Sequence, residues 1–587
     1  MLSPALVIGA AFAYLMLLFA VASLGDWRAA QGRSIIANPW TYALSLAVYC
    51  TAWTYFGSVG RAATGGVWFL PIYLGPTLAM VMGWMVLRKM IRIAKSFRIT
   101  SIADFIGSRY GKSPLLAGLV SLIAVVGIVP YIALQLKAVS AGYALLTARV
   151  DTGFAPLHWS QDGTFYMALA LAGFTMVFGA RHLDTTERHE GMVAAIAFES
   201  VVKLLAFLAV GLFVVYGMFD GLSDVFTRAR GVPALAKLLR LEQGGDFAWA
   251  QWFGLTLLSM LSVIFLPRQF QMMVVENVRE SHLRRAVWVF PLYLLAINLF
   301  VLPIALGGLL YFGPEQMNAE NFVLSLPLAA GQHALALFAF IGGLSASTGM
   351  VIVETIAVST MVSNELVMPL LLRLRHFRPD AGHDVTGVLL GIRRAAILLV
   401  LVLGYLYFHL AGEAYALVSI GLISFAAVAQ FAPAVLGGLY WKGGTRLGAL
   451  MGLLLGFMMW SYTLMLPSIA KSGWLNTDFM TLGPWGLALL RPEQLLGLHG
   501  LDGLTHSLFW SLLANVSAYV GLSLWRPPSG REASQAMLFV DVFQRTTSAS
   551  PVFWRGQAKV PDLLRLCERY LGAPKARTLF ESYARQV

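Results

Sequence analysis

Ala47-Val48-Tyr49-Cys50-Thr51-Ala52-Trp53-Thr54-Tyr55-Phe56-Gly57 and Phe265-Leu266-Pro267-Arg268-Gln269-Phe270-Gln271-Met272 are the two stretches whose reading decides the fold. Both lie in runs apolar enough to cross a bilayer, and both interrupt the pattern that a continuous helix needs. The first replaces an aliphatic run with short polar and aromatic residues. In the second, Pro267 removes a helix hydrogen bond. Backbone freed at membrane depth is tolerated only where protein or a cavity satisfies it again. Two interrupted helices five spans apart are what an inverted-repeat carrier needs, with unwound carbonyls for ions and half-helix ends for solute charges. The blander reading is a proline kink with no site.

The rest of the chain agrees with a membrane setting. Of 587 residues, 58% are apolar and 12% charged, and the mean hydropathy is +0.72. Soluble proteins average roughly 25% charged residues. Apolar runs predict thirteen spans, at about 4–24, 37–57, 67–87, 115–147, 164–180, 190–216, 251–275, 286–312, 334–363, 395–411, 415–440, 447–467 and 506–525. The fourth is long for ~30 Å of hydrocarbon and is expected to tilt or to kink at Pro130. The first run has no basic region ahead of it and reads as a retained helix rather than a cleaved signal. The expected fold class is therefore an all-α polytopic membrane protein.

The net charge is +13. A basic balance can mean nucleic acid, but in a membrane protein Lys and Arg gather in cytoplasmic loops, so no nucleic acid is expected. With the N-terminus outside, the inside loops hold 21 Lys and Arg and the opposite loops 8. Loop 88–112 alone holds seven. The bias predicts N-outside, C-cytoplasmic insertion. The two cysteines, Cys50 and Cys567, exclude a disulfide framework or a cysteine metal cluster. After Trp525 the composition shifts, and residues 526–587 hold ten basic and five acidic residues. The expected division is 1–525 as the membrane domain and 526–587 as a small helical cytoplasmic module.

Charges within spans cost at least ~2.5 kcal/mol each unless paired or wet, so they are the candidate functional groups. Gln135 and Lys137 lie in the fourth span, Glu199 and Lys203 in the sixth, and Glu354 in the ninth. Glu199 and Lys203, at i and i+4, share one helix face and read as an ion pair. The alternatives are a neutralising pair or a proton carrier. Lys137 either snorkels or, with Gln135, lines a polar cavity. Glu354 is a proton carrier or an end charge near Asn364 and Glu365. In the ninth span, Gly342-Gly343-Leu344-Ser345-Ala346-Ser347-Thr348-Gly349 places two hydroxyls one turn from the Leu344 carbonyl. Such oxygens suit a hard monovalent cation or a proton relay; close helix packing is the other reading. No Walker A loop, H-E-x-x-H or G-x-S-x-G occurs, and the histidines lack metal-ligand spacing. An enzyme is disfavoured.

The stretch from Leu422-Ile423-Ser424-Phe425 through Gln430-Phe431-Ala432-Pro433 to Gly437-Gly438-Leu439-Tyr440-Trp441-Lys442 resembles the sodium/solute symporter family. Pro130-Tyr131-Ile132-Ala133-Leu134-Gln135-Leu136-Lys137 and Leu266-Pro267-Arg268-Gln269 look more closely like the transporter half of CbrA-type sensor histidine kinases, and the tail resembles their STAC module. The resemblance implies a LeuT-like core of two inverted five-helix repeats in spans two to eleven. It implies a cation site at the Ala47, Cys50 and Leu344 carbonyls with the Ser347 and Thr348 hydroxyls. Solute would lie near Tyr49, Trp53, Gln135, Lys137 and Gln269. Sodium/proline-type members carry an Asp where this chain has Tyr49-Cys50, and aromatics where it has Ser259 and Val263. The coupling ion is therefore H+ or Na+, with Glu199 and Glu354 as proton-carrier candidates and no cofactor. The implied solute is an amino acid, histidine first. The implied partners are membrane lipid, kinase domains in cis or trans and a response regulator. Nothing after Trp525 is long enough to be a kinase, so this stretch is expected to be the input part only. A receptor that binds solute and signals without flux is the second reading.

Overall fold

The computed structural model describes residues 2–147, 163–179, 189–240, 247–313, 318–371, 386–411, 417–471, 473, 475–545 and 560–584. Among these residues the regular structure is helical, with no strand. Ten helices are long and apolar enough to cross a membrane: Pro4–Ala30, Pro114–Thr147, Glu190–Met218, Ala248–Phe265, His282–Phe312, His333–Leu371, Gly387–His409, Ser419–Tyr440, Arg446–Lys471 and Gly503–Trp525. This is a membrane protein. An eleventh is counted if Trp53–Phe69 and Pro71–Phe97, bent by 65°, form one crossing. The predicted fifth span is a helix of 17 residues, Gly163–Gly179. The fourth runs through Pro130 as one 34-residue helix. At 1.5 Å per residue that is about 51 Å, longer than the hydrocarbon is thick, and the helix is not broken at Pro130.

The ninth and eleventh spans are the centre of the bundle, each with 83% of its apolar window buried, against 22% for the first. Both interrupted helices border this centre. Asn38 caps the second span through the Trp40 amide, and Pro39 follows at the first helical position, where its missing N–H costs nothing. The helix tightens over Leu46–Tyr49, goes extended at Cys50 (φ −80°, ψ 97°), and resumes as a widened turn at Trp53–Gly57. In the seventh span, Ala248–Phe265 ends at Leu266 (φ −58°, ψ 133°), and Pro267 starts a new turn. The two breaks brace each other. The Tyr42 hydroxyl donates to the Met273 carbonyl at 2.8 Å, and Gln269 Nε2 donates to the Leu46 carbonyl at 3.4 Å.

Beyond the last apolar helix, Ser529 and Glu532 form a reciprocal cap on Gly530–Val540. This helix docks on the basic face of the bundle. Phe539 stacks on Phe97 with ring centroids 5.3 Å apart and meets Phe105 edge-on at 5.4 Å. Lys89 Nζ donates to the Val540 carbonyl at 2.9 Å, and Lys442 pairs with Asp541 at 2.7 Å. Val560–Leu571 and Ala573–Ala584 pack on each other across Gly572, whose φ of +77° suits a residue without a Cβ.

Candidate functional site

The carbonyls freed at the second-span break have a cation on them already. Lys203 Nζ, reaching from the helix Glu190–Phe213, donates to the Ala47 carbonyl at 2.7 Å and to the Cys50 carbonyl at 2.8 Å. All three residues are buried. These are the two carbonyls expected to ligate the coupling ion. The expected direct Glu199–Lys203 pair is corrected: among the described residues no hydrogen bond joins them. The lysine donates to the open backbone of the second span, and the carboxylate accepts from the ninth.

Glu199 Oε1 accepts from the Thr348 hydroxyl at 2.6 Å. The Ser345 hydroxyl donates to the Glu199 backbone carbonyl at 3.0 Å. Gly349 leaves room for the carboxylate, since a Cβ there would lie 2.2 Å from Glu199 Oε2. The Thr348 hydroxyl oxygen also lies 2.9 Å from the Leu344 carbonyl, the alternative acceptor for its one hydrogen, and Ser347 donates back to the Gly343 carbonyl at 3.1 Å. The five expected ligands thus divide. Ala47 and Cys50 face Lys203, Thr348 faces Glu199, and Leu344 and Ser347 are held in hydrogen bonds within their own helix.

Two of the expected solute residues, Tyr49 and Trp53, meet Phe425 of the eleventh span. Its ring lies 6.2 Å from Tyr49, 5.6 Å from Trp53 and 5.7 Å from Tyr131. Gln135 Oε1 accepts from the Ala52 amide at 3.1 Å, so it caps the resumed half of the second span. Gln269 is buried beside the other break. Lys137 is half-buried on the same helix, two residues past Gln135. Glu354, expected either to carry a proton or to end a helix, is fully buried and pairs with Arg268 Nη1 at 2.8 Å. Arg268 in turn lies over the Tyr131 ring at 4.5 Å. Sequence reasoning quoted Arg268 inside the break and gave it no role. A signal was available: one arginine and one glutamate, each in an apolar run, require each other.

The basic face below this region is closed by polar contacts. His189 Nδ1 lies 2.8 Å from Glu276 Oε1, and the His189 amide donates to Glu276 Oε2 at 3.2 Å. Arg88 and Arg92 both pair with Glu280, Arg92 at 2.7 Å. Lys95 donates to Asn277 at 2.8 Å. Burial pushes the His189 imidazolium down, but the Glu276 carboxylate more than reverses this and leaves its pKa above the usual histidine value; Arg393 lowers it and Asp26 raises it by smaller amounts. A raised folded pKa contributes stability fully below about pH 6.5, lost as pH rises through the raised value. His189→Gln should therefore flatten the fall in Tm of the detergent-purified protein between mildly acidic and mildly alkaline pH. Equal slopes in the two proteins would refute the contact.

No family model matches the chain. Over 409 residues it is 24% identical to the uncharacterized symporter YodF of Bacillus subtilis (strain 168), covering 69% of this chain and 75% of that one. Over 335 residues it is 27% identical to the uncharacterized symporter YhjB of the same organism, covering 54% of this chain and 62% of that one. The fold is similar to that of a Na+-coupled sialic acid symporter solved substrate-bound and outward-open, with a TM-score of 0.62, 12% identity, and coverage of 89% of this chain and 99% of that one. These similar proteins are transporters and not enzymes. None of their names mentions histidine or a kinase, and those expectations rest on the sequence resemblance alone. What the chain shares with the sialic acid symporter is a transporter's fold.

Proposed function

We propose that the chain is a proton-coupled secondary transporter of a small solute, working by alternating access between the two broken helices. The observation that carries this is the Lys203 ammonium on the Ala47 and Cys50 carbonyls. A sodium ion and an ammonium cannot share those two oxygens. A lysine that gains and loses a proton supplies a removable cation there, and Glu199, held by Thr348, is the second group able to take the proton. The reading includes thirteen crossings, a 5+5 inverted repeat in spans two to eleven, the N-terminus outside, and residues 526–587 as a cytoplasmic module on an inner-membrane domain. An amino acid, with histidine first, is the proposed solute. Uptake of labelled L-histidine and other amino acids into proteoliposomes tests it. An inward proton gradient should drive accumulation, and an inward sodium gradient at clamped pH should not. The opposite pattern would refute proton coupling.

A second reading, a receptor that reports solute occupancy through its C-terminal module, is favoured by one chain of ring contacts. Phe539 of the docked helix meets Phe105, and Phe105 meets Phe270 edge-on at 5.7 Å. Phe270 lies in the turn that starts at Pro267. A movement of that half-helix would reach the docked helix through two side chains. Phe539→Ala removes a fully buried ring and should cost about 3–5 kcal/mol of local docking. Limited proteolysis after residue 525 should accelerate at least tenfold, with solute binding retained. Unchanged cleavage would show that the ring contacts do not hold the module.

A further inference from the structure

The Arg268–Glu354 pair is half-made on both sides. Arg268 is completely buried, and of its guanidinium nitrogens only Nη1 reaches Glu354, at 2.8 Å. Its Nε and Nη2 have no partner among the described residues, and neither has Glu354 Oε1 or the Gln269 side-chain oxygen next to it. Buried polar groups in native proteins are nearly always satisfied, and each exception asks for a reason. Arginine–carboxylate pairs frequently close as a two-pronged contact, using both carboxylate oxygens. Here each partner keeps its second half open. The guanidinium carbon lies 4.5 Å from the centroid of the Tyr131 ring, and the Nε–Nη2 edge is the part left without a hydrogen-bond partner among the described residues.

We propose that the Nε–Nη2 edge of Arg268 receives the carboxylate of the solute. These two N–H groups run parallel and match the two oxygens of a carboxylate, a fit that lysine's single ammonium does not offer. The rings of Tyr131, Phe425 and Trp53, in contact with one another through Phe425, form the apolar wall for the rest of the molecule. Arg268 and Glu354 are neutral as a pair. A bound carboxylate adds one negative charge in a buried place, so the solute must bring a donor or a proton of its own. The open Glu354 Oε1 is where an ammonium or hydroxyl on the adjacent carbon would donate. The solute class is therefore small organic acids bearing such a donor. This rests on the transporter reading for the route of the solute, not for its recognition.

Binding to the full chain in nanodiscs tests the assignment, by thermal shift and calorimetry. The probes are L-histidine, L-proline, L-lactate and pyruvate, each beside its amide. At least one acid should bind, with its amide at least tenfold weaker, and Arg268→Lys should weaken the acid by a similar factor. Glu354→Gln should weaken the amino acids more than pyruvate. If Arg268→Lys does not fold, the acid-to-amide ratio of the unmutated protein still decides. Acid and amide within twofold, an unchanged Arg268→Lys, or a silent panel at millimolar concentration overturns the proposal. Acid–amide discrimination without gradient-driven uptake keeps this inference and removes the transporter reading. Uptake of a solute without a carboxylate, intact in Arg268→Lys, does the reverse.

Discussion

Lys203→Met should reduce proton-driven accumulation of solute to the level seen without a gradient and destabilise the purified protein by about 3–5 kcal/mol. Methionine keeps the buried stem and loses every donor. The Ala47 and Cys50 carbonyls, now held at 2.7 and 2.8 Å, would be left facing an apolar side chain. Hydrogen bonds to a charged group contribute about 1.5–3 kcal/mol each, and Glu199 would lose the positive charge near it. Adding Glu199→Gln should recover only the part of the loss that comes from the stranded carboxylate, since the two carbonyls still lack the ammonium, and none of the coupling. Lys203→Ala should do something different. It empties the place of the ammonium while leaving the carbonyls and the Thr348 hydroxyl, oxygen ligands suited to a hard monovalent cation. That variant should gain thermal stabilisation from sodium over choline chloride, and the unmutated protein should gain none. Sodium-driven uptake that survives Lys203→Met would end the proton assignment.

The membrane class and most of the long apolar helices were legible because hydropathy over about twenty residues is a sum, and sums tolerate local error. The two interruptions were legible because proline and short polar residues act on the backbone through their own chemistry: the helix stops at Leu266 and at Cys50. Partner choice was harder to read. Glu199 and Lys203 share a face by spacing, yet the lysine reaches residues more than 150 positions earlier and the carboxylate reaches Thr348. Helical spacing reports which groups can meet along one rod. It is silent about acceptors on another rod, and carbonyls released by a break have no partner in their own helix and so are open to the lysine. The same limit hid Arg268. Its counter-ion lies 86 positions away, beyond any local pattern. The docking of Gly530–Val540 was equally invisible, since Phe539 meets Phe97 and Phe105 on a surface that exists only after the bundle has formed.

The other large effect is expected at Glu354. Glu354→Leu should destabilise the protein by about 3–5 kcal/mol, since it strands a fully buried guanidinium, and Arg268→Met should cost a similar amount by stranding the carboxylate. The double variant Arg268→Met, Glu354→Leu should return most of that loss, because two apolar side chains of similar volume need no partner. Chemical denaturation of the four proteins measures the cycle, and additive single losses would show that the pair is not coupled in the folded state. The cycle matters because both buried charge systems meet on one helix. Glu354 holds the restarted half of the seventh span through Arg268, and six residues earlier Thr348 holds Glu199, whose own helix carries Lys203 to the second-span break. The ninth span therefore touches both broken helices through ionised groups, one directly and one through the sixth span. A proton lost from the Lys203 end weakens one of these attachments, and a carboxylate arriving at the open edge of Arg268 shares the guanidinium charge that serves the other. Combining Lys203→Met with Arg268→Met should then give a stability loss that departs from the sum of the two by at least ~0.5 kcal/mol, the size expected of residues in one network. Strict additivity would mean that the ninth span is a passive strut, with ion and solute handled independently.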